Sequence, residues 1–304
     1  MLAPMAGGPT TSTLVAAVPF GFLAAGYRSA ADLERYMDAL GDRPFGVNLF
    51  VPTPNDAEPT ALAAYAARIG ADPADSRWTD DDWDAKLELV RRRPPAVVSL
   101  AFGCPAREVV ASLESDVWCT VTSAEEAHVA KAAGVDVLVA QGAEAGGHQS
   151  TFDDADRERL PTLSLVRELI GDLPVVAAGG IATREGVEAA LAAGAAAVQV
   201  GTAFLLADEA GTSDAQRRAL ATDRPTALTR AFTGRLARGI VNDFMREHDA
   251  HAPHGYPQVH YLTAPLRGSA RAAGDFERFN LWAGAGYRDA IAAPAAEIVA
   301  RLTP

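Results

Sequence analysis

The segment PVVAAGGIATREGVEAALAAGAAAVQVGT, Pro174–Thr202, decides the fold. It opens on an apolar run without alternation, Pro174–Gly180, as a strand buried on both faces requires. Thr183 then starts an amphipathic stretch that stops at Gly194, a hydroxyl cap at one end and a glycine at the other. A second apolar run, Ala196–Thr202, follows at once. Strand, helix and strand in this succession predict parallel pairing through a right-handed crossover.

The same period repeats towards the N-terminus. Short apolar runs occur at Gly21–Gly26, Phe45–Val51, Ala96–Phe102, Asp116–Thr122 and Val135–Gly142, and Leu2–Met5 supplies a truncated first one. Helix start signals lie between them: Ser29 before AADLERYMDAL, the acids Asp80, Asp81 and Asp82 before WDAKLELVRRR, and Ser123 in a capping-box pattern, S-A-E-E. Eight strand candidates favour an α/β fold of the closed (β/α)8 TIM-barrel type, and no G-x-G-x-x-G follows the first strand to suggest an open dinucleotide-binding sheet. After Thr202 the pattern changes. Residues 205–266 read as a smaller, mainly helical second domain with little strand character, and Asp289–Leu302 as a closing helix. The expected domains are a barrel of residues 1–204 and 267–304 and a helical lid of residues 205–266.

Composition narrows the function classes. The chain has 304 residues, 27 basic and 39 acidic side chains, and a net charge of −12. Such a field repels polyanions, so nucleic acid and anionic membrane are excluded as expected partners. No apolar stretch is long enough to span a bilayer, and the N-terminus lacks the pattern of a signal peptide. A cytoplasmic protein is expected. Two cysteines, Cys104 and Cys119, argue against a disulfide scaffold or a zinc site. His248, His251, His254 and His260 invite a metal reading, but their spacing around Pro253 does not put three ligands on one helical face, so no metal is expected.

In a barrel, chemistry belongs at the C-terminal ends of the strands. Gly179-Gly180 at the end of the seventh run and Gln199-Val200-Gly201-Thr202 in the eighth let backbone N–H groups close on a phosphate. The competing reading is a tight turn. The sixth run ends in QGAEAGGH, Gln141–His148. His148 follows two glycines in a polar loop, where an imidazole suits proton abstraction from a carbon acid, or else shapes the loop by hydrogen bonding. Glu144 is a second candidate acid/base, with a solvated loop carboxylate as the competing reading.

QGAEAGGH, with APMAGG (Ala3–Gly8), GVNLFVP (Gly46–Pro52), AAGGIA (Ala177–Ala182), QVGTAF (Gln199–Phe204), TRAFTGRLARGI (Thr229–Ile240) and NLWAGAG (Asn280–Gly286), resembles the nitronate monooxygenase family. The resemblance runs nearly end to end and implies a TIM barrel with non-covalent FMN and a lid-like second domain. By position it implies Met5 against the isoalloxazine, Asn48 hydrogen-bonded to the flavin, and Gln141 and Gly146 at the ring and ribityl regions. Gly179, Gly180, Gln199, Gly201 and Thr202 would hold the ribityl phosphate. His148 matches the family histidine assigned as catalytic base or substrate-orienting group. The implied activity is oxidation of alkyl nitronates, and by extension nitroalkanes, to a carbonyl compound and nitrite. The implied partners are a small-molecule substrate and dioxygen, with a homodimer left open. Two alternatives stay open: an FMN- and NAD(P)H-dependent enoyl-acyl-carrier-protein reductase, which shares EAGGH-, AAGGI- and QVGT-like segments, and a non-catalytic flavin-binding protein. The second run, VPFGFLAAG, departs from the family pattern.

Overall fold

The computed structural model describes residues 1–154 and 158–304. Strands β1 (Phe22–Ala24), β2 (Gly46–Phe50), β3 (Val97–Ala101), β4 (Asp116–Val121), β5 (Val137–Gln141), β7 (Val175–Ala178) and β8 (Ala197–Gln199) form one parallel sheet in the order β1-β2-β3-β4-β5-β7-β8. Leu2 closes the ring. It bridges Gly21 on one side and Val200 on the other, with Leu2 N donating to Phe20 O at 3.0 Å and Ala3 N to Val200 O at 2.8 Å. The truncated first run is therefore the eighth stave of a closed barrel, as expected from the sequence.

Helices α1 (Ser12–Ala16), α2 (Ala30–Asp38), α3 (Pro59–Ile69), α4 (Trp83–Arg92), α5 (Arg107–Val110), α6 (Ala124–Ala133), α7 (Thr162–Leu169) and α8 (Arg184–Ala192) alternate with the strands. Their starts obey the capping signals: the side chains of Ser29, Ser123 and Thr183 accept from Asp32 N, Glu126 N and Gly186 N. Outward-facing strand residues such as Leu138, Ala140, Val175 and Ala177 join the core between sheet and helices. Inward-facing Val139, Val176 and Ala178 pack with Trp118 inside the barrel. Phe22 lies over Gly46, where a Cβ would meet its ring at 2.3 Å, so only glycine fits there. Because side chains alternate, one further step of two residues brings Asn48, Thr120, Gln141 and Gln199 to the inner C-terminal rim.

Residues 205–266 differ from the sequence expectation. They contain helices α9 (Asp214–Leu220) and α10 (Asp243–His248) and the start of α11 (Gln258–Ala272), but also strands β9 (Thr226–Thr229) and β10 (Ala237–Ile240). These two strands pair antiparallel, and β10 pairs antiparallel with β6 (Gly147–His148), so the region is not purely helical and its sheet includes the loop after β5. The expected boundary at 266/267 falls inside α11. The closing helix α12 (Ala295–Leu302) is shorter than expected because Pro294 occupies its N-cap. It packs against α8 and buries Ala295, Ile298 and Leu302.

Candidate active site

The C-terminal rim of the barrel opens into a cavity of about 240 Å³. All ten residues expected at the site line it: Met5, Asn48, Gln141, Gly146, His148, Gly179, Gly180, Gln199, Gly201 and Thr202. The cause is the strand period. β5 and β8 end in inward polar residues at matching heights, with Gln141 opposite Ala178 and Ala178 opposite Gln199, and Asn48 points inward from the middle of β2.

Asn48 Nδ2 donates to Ser99 Oγ at 2.9 Å, across the register pair of β2 and β3. Gln141 is engaged at both ends of its amide. Nε2 donates to His148 O at 3.2 Å, and Oε1 accepts from Ser150 N at 2.7 Å. Its first duty is thus to shape the His148 loop. Gln199 differs: its buried Nε2 has no hydrogen-bond partner among the described residues.

Gly179 (φ +125°) and Gly180 (φ +69°) both need left-handed backbone, so the tight-turn reading of this pair holds as a statement about conformation. A Cβ on Gly180 would also meet Glu144 Cβ at 2.6 Å. Both glycines nevertheless face the cavity, next to Gly201 and Thr202. Thr202 Oγ1 accepts from Gly284 N at 2.9 Å, tying the NLWAGAG loop to the end of β8. Glu144 is half-buried and is not among the residues that line the cavity. Its Oε2 accepts from Thr162 N and Thr162 Oγ1, both at 2.9 Å, bracing the start of α7.

His148 sits on the cavity wall and is enclosed by protein beyond it. Phe102, Tyr256 and Trp282 surround its ring with centroids at 5.7, 5.4 and 5.6 Å. Burial pushes its pKa down to about 3, and the positive charges of Arg235 and Arg267 add to the effect, so the imidazole is neutral at pH 7. Arg235 is 2% exposed and stacks on Phe102, its guanidinium carbon 4.2 Å from the ring centre. Among the described residues no Asp or Glu lines the cavity, and Arg271 is the one side chain with a standing charge on its wall.

Sequence reasoning singled out none of Phe102, Thr233, Arg235, Tyr256, Arg271 or Trp282. The resemblance covered Thr233, Arg235 and Trp282 only as parts of longer segments. The four histidines of residues 248–260 do not converge: His248 lies against Phe244 and Glu247, His254 faces Asp154, and His260 stacks on Tyr27 at 4.1 Å.

A parallel barrel with small-molecule-sized space at its C-terminal rim, lined by glycine loops and an enclosed neutral histidine, defines a TIM-barrel enzyme. The sequence profile of the nitronate monooxygenase family matches residues 1–304. A nitronate monooxygenase of Paraburkholderia phytofirmans is 38% identical, the match spanning 99% of this chain and 90% of the relative. The structure of a nitroalkane oxidase from Streptomyces ansochromogenes superposes with a TM-score of 0.94 at 44% identity, covering 99% of this chain and 93% of that one. FabK from Thermotoga maritima is more distant, with a TM-score of 0.76 at 25% identity over 99% of this chain and 90% of that one. The chain belongs to the nitronate monooxygenase family, and is an oxidoreductase.

Proposed function

We propose that the protein uses FMN to oxidise alkyl nitronates with dioxygen, giving a carbonyl compound and nitrite. One observation carries the reading: residues suited to flavin and substrate face a single cavity that, among the described residues, no carboxylate lines. The phosphate of FMN and a nitronate are both anions, and an acid-free cavity in a chain of net charge −12 suits them. Gln199 Nε2 supports the fit, since a buried donor without an acceptor among the described residues suits one from a ligand. Gly179, Gly180, Gly201 and Thr202 would hold the ribityl phosphate, in the position usual for this architecture. Met5 would lie against the ring system, with Asn48, Gln141 and Gly146 along its edge.

FMN, when bound, supplies an electron acceptor for the electron-rich nitronate and a route for those electrons to dioxygen. The protein's own part is orientation and proton control. Phe102, Tyr256 and Trp282 exclude water around His148. A nitronate arrives already deprotonated and asks no proton transfer of His148. A neutral nitroalkane needs a base, and an imidazole with a pKa of about 3 is a weak one. Nitronates are therefore the better substrates.

The test is the visible spectrum of the purified protein, followed by anaerobic titration with propionate 3-nitronate and, separately, NADPH. The expected result is a yellow protein that releases FMN, not FAD, on denaturation and bleaches with the nitronate only. Bleaching by NADPH alone would move the assignment to the enoyl reductase reading. A colourless protein that FMN cannot reconstitute would overturn it.

A further inference from the structure

His148 is the second residue of β6, and its backbone is held firmly: Gln149 N donates to Leu236 O at 2.8 Å, and Gln141 Nε2 to His148 O at 3.2 Å. That placement leaves undecided which ring nitrogen carries the hydrogen of the neutral imidazole. The hydrogen bond made by the ring decides it. Nε2 lies 3.0 Å from Thr233 Oγ1. Thr233 is 1% exposed and stands behind the cavity wall, not on it.

The Thr233 hydroxyl has one proton and two neighbours able to take it. One is the Arg235 carbonyl at 3.1 Å, which has no other donor among the described residues and belongs to a residue that is itself buried. Turning the hydroxyl towards His148 would strand that carbonyl without a partner, which costs more than the bond gained. The proton stays on Arg235 O, the hydroxyl oxygen accepts, and Nε2 carries the imidazole hydrogen. Nδ1 is left bare. It has no hydrogen-bond partner among the described residues and is not sealed from solvent, so its lone pair opens on the cavity that His148 lines.

We propose that Thr233 is a positioning residue that sets the tautomer of His148, so that Nδ1 is the nitrogen that meets substrate. What that nitrogen does rests on the function proposed above; which nitrogen it is does not.

The test uses the FMN-loaded full chain labelled with [15N]histidine, the His148 resonances being assigned by their loss in His148→Asn. The wild type is expected to show Nε2 protonated and Nδ1 bare at pH 7. In Thr233→Val a protonated Nε2 would be buried against a methyl group, whereas a protonated Nδ1 would face the cavity, so the hydrogen moves to Nδ1. Turnover of a neutral nitroalkane then falls on the order of ten- to a hundredfold, the penalty of one buried unpaired donor read as a population. KM stays within about twofold, since binding is not what the hydroxyl serves. Thr233→Ser, which keeps the hydroxyl, restores both tautomer and kcat. A wild-type ring protonated on Nδ1 overturns the proposal, and this measurement decides even where Thr233→Val does not fold. An unchanged tautomer in Thr233→Val also overturns it, as does Thr233→Ser as impaired as Thr233→Val, which marks a packing role. The expected tautomer in a protein that turns over neither a nitronate nor a nitroalkane would sustain the positioning role while removing the functional reading.

Discussion

The charge state of His148 is imposed from outside the ring. Aromatic neighbours remove water, and two buried guanidinium groups, Arg235 and Arg267, oppose a third positive charge. His148→Asn is expected to keep FMN bound, because the proposed phosphate seat at the ends of β7 and β8 is separate. It should lower kcat/KM for a neutral nitroalkane by about 10², the low end of the usual loss for a positioned general base, because an imidazole with a pKa of about 3 is a weak one. A preformed nitronate should suffer less, and steady-state rates on both substrates in the variant check this. Equal losses would reduce His148 to binding. At this scale the sequence exposed His148 through its two preceding glycines, and the cavity-lining ends of β7 and β8 through theirs. It was silent on Arg235 and Thr233. A buried arginine and a buried threonine carry no local pattern, and their roles come from a strand pairing far along the chain.

Among the elements, the capping box of α6 does more than close a helix. Glu126 Oε2 accepts from Thr122 N at 2.6 Å and Thr122 Oγ1 at 2.9 Å. Its Oε1 accepts from Thr151 Oγ1 at 2.7 Å and Phe152 N at 2.8 Å. The same carboxylate thus holds Thr122, the residue before the Ser123 cap, and staples the segment after His148 to the barrel. Thr151 O in turn accepts from Arg235 Nη2, which links the staple to the cation beside the site. Glu126→Ala strands these buried donors and should cost about 2–4 kcal/mol. Urea unfolding should show a lower midpoint at unchanged m, and an unchanged midpoint would mean that solvent replaces the staple. The capping signals at Ser29, Ser123 and Thr183 were legible because a cap is a local bond between near neighbours. The strands β6, β9 and β10 were not, since runs of only two to four residues become strands only when a partner lies alongside.

Across the whole molecule, buried neutral histidines couple folding to pH. His148 and His260 are both held far below the ordinary histidine range, His260 by burial first and then by Arg267, His148 and Arg77. In the unfolded chain each regains a pKa near 6.5. Below that value the unfolded chain binds protons that the native one refuses, so stability is full above about pH 6.5 and falls on acidification. Each such group contributes about 1.4 kcal/mol per pH unit, continuing for His148 down to its native pKa. Calorimetry of the FMN-loaded protein between pH 7 and pH 5 should show a falling Tm, and His148→Asn should flatten that fall. An equal slope in the variant would mean that the native imidazole titrates normally.

The sequence by itself determined the βα period, the helix starts, the glycine-lined strand ends and the likeness to one family. Each of these depends on local spacing or on short strings. The sequence offered Leu2 as part of a first stave, but only the tertiary structure decided that it bridges Gly21 and Val200, because an edge bridge exists only when both neighbouring strands are in place. Tertiary structure alone also decided that Glu144 braces α7, that residues 226–240 join His148 in a sheet, and that Thr233 stands behind the imidazole. Burial and long-range pairing set charge and tautomer, and neither is a property of neighbouring residues along the chain.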